Sequence, residues 1–117
     1  MSIQTSWISE GEIFAVHFSG PVSVSDMRDA ILACLTALDV AQVSFLLDFS
    51  DAGMVQPDAL QLSTLGEWLY HPNARWFAYA KAEGILKVFA QMSHRGSAQV
   101  FRTAAEAEAF LLKKIQS

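Results

Sequence analysis

Three histidines, one cysteine and a few acidic residues near the middle of this 117-residue sequence are the side chains with most chemistry to offer. Hydrolytic catalysis needs a nucleophile beside a base, paired carboxylates, or a metal site, all within reach of one another. His17, His71 and His94 fall on different expected elements, with neither a His-x-x-x-His spacing nor a cysteine partner, so they read as structural or surface histidines. Asp48 and Asp51 stand three apart in what reads as a loop, where carboxylates cap turns or face solvent. Cys34 is the sole cysteine, which excludes an intramolecular disulfide. With Ile31, Leu35 and Leu38 around it at helical spacing, it reads as a small buried hydrophobe. The glycines Gly11, Gly20, Gly53, Gly66, Gly84 and Gly96 are isolated, so there is no phosphate-cradling loop. No catalytic set, metal set or cofactor motif emerges, and the residues point to a binding module rather than an enzyme.

Composition narrows the class of partner. Twelve acidic against eight basic residues give a net charge of -4, which disfavours nucleic acid, because phosphate-backbone binding depends on clustered Lys and Arg. The pair Lys113-Lys114 reads instead as the complement of a helix C-terminal dipole. Hydrophobic residues make up 52% of the chain, with 8 Phe and 3 Trp. That supply fills one core in a domain of this length and leaves apolar surface for a second subunit or a pocket, so a homodimer is expected. No apolar run approaches the ~18 residues that a membrane span needs, and residues 1–8 carry neither a basic segment nor an apolar signal core. The expected location is cytoplasmic.

Side-chain periodicity then sets out the elements that must position any site. Ile3, Thr5 and Trp7 alternate with polar neighbours, and after a turn at Ser9-Glu10-Gly11-Glu12 a second strand runs from Ile13 to Phe18, ended by Gly20-Pro21. Its Phe14, Val16 and Phe18 face one way, and Ile13, Ala15 and His17 the other. Ser23 and Asp26 resemble a capping box opening a helix that carries Val24, Met27, Ile31, Leu35 and Leu38. Val43 to Phe49 contains Phe45, Leu46 and Leu47 without alternation, the pattern of a central strand covered on both faces. A loop from Asp48 to Gly53 follows, then a helix beginning near Pro57 with Leu62, Leu65 and Leu69. Arg75 to Lys81 reads as a strand, and Ile85, Val88, Phe89 and Met92 mark a third helix closed near Gly96. Ala98 to Phe101 is a short last strand, and Thr103 with Glu106 caps a helix burying Ala107, Phe110, Leu111 and Ile115.

The order ββαβαβαβα, without repeat or linker, predicts one α/β domain over residues 1–117: a five-stranded, mostly parallel sheet with four helices. If successive strands are neighbours, most helices lie on one face, and the other is partly bare, covered by a partner subunit or framing a pocket. This order, the Phe18-Ser19-Gly20 turn, the central Leu46-Leu47-Asp48-Phe49-Ser50 segment and the terminal Val100-Phe101-Arg102-Thr103-Ala104-Ala105-Glu106-Ala107 with Phe110-Leu111 resemble the SpoIIAA-like (STAS-related) family. The resemblance spans nearly the whole chain and implies a regulatory protein-interaction domain. In the anti-sigma-factor antagonists of that architecture, the loop after the central strand leads to an Asp-Ser-Ser-Gly motif whose serine is phosphorylated by the partner kinase. Here the corresponding stretch is Gln56-Pro57-Asp58-Ala59, which has no hydroxyl. Asp58 near a helix N-terminus is placed to stabilise that helix. Ser50 is the remaining hydroxyl in the loop, with Asp51 beside it disfavouring a further negative group.

Two recognition sites follow. Loops at the C-terminal ends of parallel strands present ligands and partners, so Ser50, Asp51, Gly53, Met54, Gln56 and Asp58 form the leading protein-binding candidate. The aromatic surplus suggests a second, a pocket for a small apolar or lipid-like ligand formed by Trp68, Trp76, Tyr79, Phe89 and Met92. Spacing also permits these side chains to serve as core or dimer interface.

Overall fold

The computed structural model describes residues 3–39, 41–56, 58, 72–81 and 98–115. The expected helices around Leu62 to Leu69 and Ile85 to Met92 lie outside the described residues. Five strands form one mixed sheet in the order β1-β2-β3-β4-β5: β1 (Ile3–Ser9), β2 (Ile13–Val22), β3 (Val43–Val55), β4 (Ala74–Ala80) and β5 (Ala98–Phe101). The helices are α1 (Val24–Leu38) and α2 (Ala104–Ile115). β1 is antiparallel to β2, and the remaining neighbours are parallel.

Local chemistry explains the first half of the chain. Gly11 takes a positive φ of 76° at the β1–β2 turn, a conformation that costs glycine little, and the Glu12 N–H donates to Ser9 O at 2.9 Å. The capping box of α1 is present in both directions: Asp26 N–H donates to Ser23 Oγ, and Ser23 N–H donates to Asp26 Oδ2. Met27, Ala30, Ile31, Cys34, Ala37 and Leu38 form the buried stripe of that helix. At its end the Asn73 side-chain amide donates to Leu38 O at 2.9 Å, tying the helix to the start of β4.

β3 is the central strand, as its Phe45-Leu46-Leu47 run implies, and Val43 through Leu47, Ser44 included, are all buried. Phe45, Leu47 and Phe49 pack beneath α1, whereas Leu46 joins Ile13, Ala78 and Ala80 beneath Ala107 and Leu111 of α2. The described helices therefore lie on opposite faces, and α2 partly covers the face expected to be bare. Two rows of rings run across the sheet under α1. Phe18, Phe49 and Tyr79 stack at centroid distances of 4.5 and 6.4 Å, and Phe45 stacks on Phe77 at 5.4 Å with Phe14 edge-on to it. Such pairs contribute about 0.5–1.5 kcal/mol each beyond their buried area. Much of the aromatic surplus is thus core.

Two expected boundaries change. β2 does not stop at Gly20-Pro21 but continues to Val22, and β3 continues through the expected loop to Val55. Register shifts between His17 and Ser19 and between Gly20 and Val22 absorb the glycine, whose φ is 68°, and the proline, which has no N–H to contribute. The two extensions pair Ser19 with Asp51, Gly20 with Ala52 and Val22 with Val55. They close with the Gln56 N–H donating to Val22 O at 3.0 Å.

Candidate recognition surface and the histidine beneath it

The parallel register of β2 and β3 sets His17 directly beside Asp48. His17 Nδ1 lies 2.9 Å from Asp48 Oδ2, and the register shift that follows brings Asp51 Oδ2 to 2.9 Å from His17 Nε2. The second oxygen of Asp48 accepts the Ser50 N–H at 2.9 Å. The hydrogen bond to Asp48 raises the His17 pKa above its ordinary value; burial works against this, and the charges of Asp48 and Asp51 add to it. Burial pushes the Asp48 carboxyl up, but hydrogen bonds from Ser50 and the His17 interactions outweigh it and hold the group below its usual range. The ring thus lies between two acidic side chains, an arrangement that favours its protonated form.

This cluster borders a cleft of about 320 Å³ between the sheet and the first turns of α2, with Ser6, Ala15 and Leu46 in its wall and Glu108 across from His17 and Asp48. Among the described residues no group of three His, Cys, Asp or Glu is placed to hold a metal ion. Beyond the cleft, the β2–β3 extension carries four of the six candidate partner-binding residues, Ser50, Asp51, Gly53 and Met54, and Gln56 follows directly on its last residue. Ser50 is half-buried; Asp51, Gly53, Met54 and Gln56 are exposed, as is Asp58 just past the strand. Met54, at 76% exposure, is far more open to solvent than Leu32 or Trp7, the other exposed large hydrophobic residues of the described chain. The candidate surface is therefore mostly strand rather than loop, and its side chains are held by pairing to β2.

The apolar-pocket candidates separate. Trp76 and Tyr79 face opposite sides of β4: Tyr79 is buried under α1, while Trp76 meets Phe110 edge-on at 5.8 Å with Lys114 Nζ 4.6 Å from its ring centroid. These two do not line a common cavity. Trp68, Phe89 and Met92 lie outside the described residues, as do His71 and His94. Cys34 is buried on the inward face of α1, where loss of solvation raises its thiol pKa and keeps the thiol protonated.

Sequence reasoning missed the partnership of His17 with Asp48 and Asp51. A signal was present: counting in parallel from Ile13 beside Ser44 brings His17 level with Asp48. Asp51 could not be found that way, because its approach depends on a register shift.

No family model matches the chain, and no curated protein sequence matches it. Similarity emerges in three dimensions. The structure resembles that of the anti-sigma factor antagonist SpoIIAA in its unphosphorylated form, with a TM-score of 0.69, 11% identity and 98% of each chain covered. It also resembles an uncharacterised DUF3478-family protein with a SpoIIAA-like fold from Shewanella loihica PV-4, with a TM-score of 0.67 and 12% identity over 93% of this chain and 91% of that one. At such identities the likeness is one of architecture. Near-complete coverage in both comparisons supports the conclusion that this chain has a SpoIIAA-like fold.

Proposed function

We propose that the chain is a non-enzymatic, cytoplasmic protein-interaction module that recognises its partner through the β2–β3 extension. The observation that carries this reading is Met54, the most exposed large hydrophobic side chain described, set on a paired strand among Asp51, Gly53, Gln56 and Asp58. An apolar anchor on a rigid element, rimmed by polar groups, is the usual composition of a protein-recognition patch. Its two carboxylates select a partner with Lys or Arg around an apolar socket. The fold supports the reading, since SpoIIAA is by name an antagonist of another protein. The placement of Trp76 and Tyr79 on opposite faces of β4 favours protein recognition over carriage of an apolar ligand.

The proposed assembly is a homodimer joined along β1. Among the described residues β1 pairs on one side only, with β2, and Ile3–Ser9 contains no charge in a chain of net charge -4. A hollow of about 520 Å³ follows that edge beside Ala33 of α1. Two copies can meet there antiparallel about Thr5, placing Ile3 of one opposite Trp7 of the other, without charge repulsion.

Capture of partners from the native host, comparing the wild type with the Asp51→Lys, Asp58→Lys double variant, tests the recognition surface. A partner retained by the wild type and lost by the variant is the expected result. Equal capture by both would place recognition elsewhere, and an apolar small molecule found by native mass spectrometry without a protein partner would favour the carrier reading.

A further inference from the structure

Both ring nitrogens of His17 face carboxylate oxygens at 2.9 Å, and only the imidazolium carries the two N–H groups such an arrangement needs. The two carboxylates are unequal. The Asp48 side chain is 13% exposed, and its other oxygen is already engaged by the Ser50 N–H; the Asp51 side chain is 68% exposed. When the ring gives up one proton, the remaining N–H stays where its loss costs most, on Nδ1 toward the less solvated Asp48, and water takes the place of Nε2 at Asp51. We infer that His17 is a proton-operated latch on Asp51. Charged, it ties the outer end of β3 to β2; neutral, it keeps Asp48 and releases Asp51 to a basic group of the partner.

The surroundings fit a latch driven by these groups. β1 sets uncharged Gln4 opposite His17, α1 contributes Ala33 to the adjacent hollow, and α2 contributes Glu108 to the cleft. Among the described residues lining either space there is no Lys or Arg to replace the imidazolium as counter-ion to Asp48 and Asp51. The latch also acts where the chain is least regular. Asp51 follows the first register shift, so the Nε2 contact bridges the point at which the β2–β3 ladder is interrupted. The inference rests on the reading of this segment as the recognition surface. It sets a direction: a partner presenting Lys or Arg to Asp51 binds more tightly above the His17 midpoint, because below it the imidazolium competes for the same oxygen.

The test uses the free, full-length protein. Nitrogen-15 NMR of the His17 ring is followed from about pH 5 to about pH 9, together with amide hydrogen exchange over Ala52–Val55 corrected for intrinsic rates. The wild type is expected to pass from a doubly protonated ring to the Nδ1–H tautomer, while protection of Ala52–Val55 falls roughly five- to tenfold with the same midpoint, the weight of one charge-assisted hydrogen bond. In Asp51→Ala the midpoint falls and the protection step disappears; in His17→Gln protection is independent of pH. An Nε2–H neutral tautomer, a protection profile unlinked to the ring titration, or a wild-type titration in Asp51→Ala would each overturn the latch. No partner enters these measurements. A latch seen here with partner capture unchanged in the Asp51→Lys, Asp58→Lys variant keeps the latch and removes the recognition surface, and the opposite pair of results does the reverse.

Discussion

His17 Nδ1 and Asp48 Oδ2 meet at 2.9 Å although their residues are 31 apart in sequence, because β2 and β3 run parallel and bring them to the same level. Their opposite pKa shifts set the pH range over which the contact stabilises the fold. The folded-state pKa of His17 lies above 6.5, so its contribution is complete below that value and is lost as pH rises through the folded pKa. That of Asp48 lies below 3.8, so its contribution is present above that value and is lost as pH falls through the folded pKa. Denaturant unfolding across pH is expected to show this decline at the alkaline end for the wild type, and none attributable to this group for His17→Gln.

Leu47→Asp is expected to abolish soluble folding. Leu47 is buried in the central strand beneath α1, and an unpaired carboxylate there costs several kcal/mol, a large share of the about 5–15 kcal/mol that holds a domain together. Soluble yield and circular dichroism check it; a normal cooperative unfolding transition would refute the placement of β3.

Phe49 lies between Phe18 and Tyr79 in the stacked row, so Phe49→Ala removes two ring contacts and opens a cavity. A loss of about 3–5 kcal/mol is expected in denaturant unfolding.

Gly20 and Gly53 separate backbone strain from crowding. Gly20→Ala puts a side chain at a φ of 68° and is expected to cost about 1–2 kcal/mol although nothing lies within 4 Å of the new Cβ. At Gly53 the backbone is unstrained, and a Cβ would come 3.4 Å from Gly20 C and Pro21 N, so Gly53→Ala costs less. Paired unfolding curves rank the two; the reverse order would show that the close approach of the β2 and β3 extensions dominates.

Surface substitutions separate association from folding. Met54→Lys is expected to change stability by no more than about 0.5 kcal/mol while weakening partner capture, since the side chain is 76% exposed. Thr5→Lys opposes two like charges on the proposed dimer axis and is expected to give a folded monomer by light scattering; an unchanged oligomeric state would exclude the β1 edge as the interface.

The elements whose signals are local were legible in the sequence. A hydroxyl and a carboxylate three residues apart make the cap of α1, and a 3.6-residue period makes its buried stripe, because both depend on neighbours along the chain. The consecutive apolar residues Phe45, Leu46 and Leu47 likewise placed β3 at the centre of the sheet before any pairing was known. Gly20-Pro21 shows where local reading stops: the pair is a terminator by propensity, yet two register shifts against β3 carry the strand past it, and the expected loop becomes strand to Val55. The aromatic residues behave likewise. Composition counted them, but the direction each side chain takes across the sheet decided that Tyr79 is core under α1 and Trp76 packs against α2. Sequence by itself determined the caps, the apolar periods and the order of the described elements, which depend on residues within a few positions of one another. Only the tertiary structure decided that His17 stands between Asp48 and Asp51, because that contact depends on the register of two strands joined through a 15-residue helix and on a shift between them that no local pattern encodes.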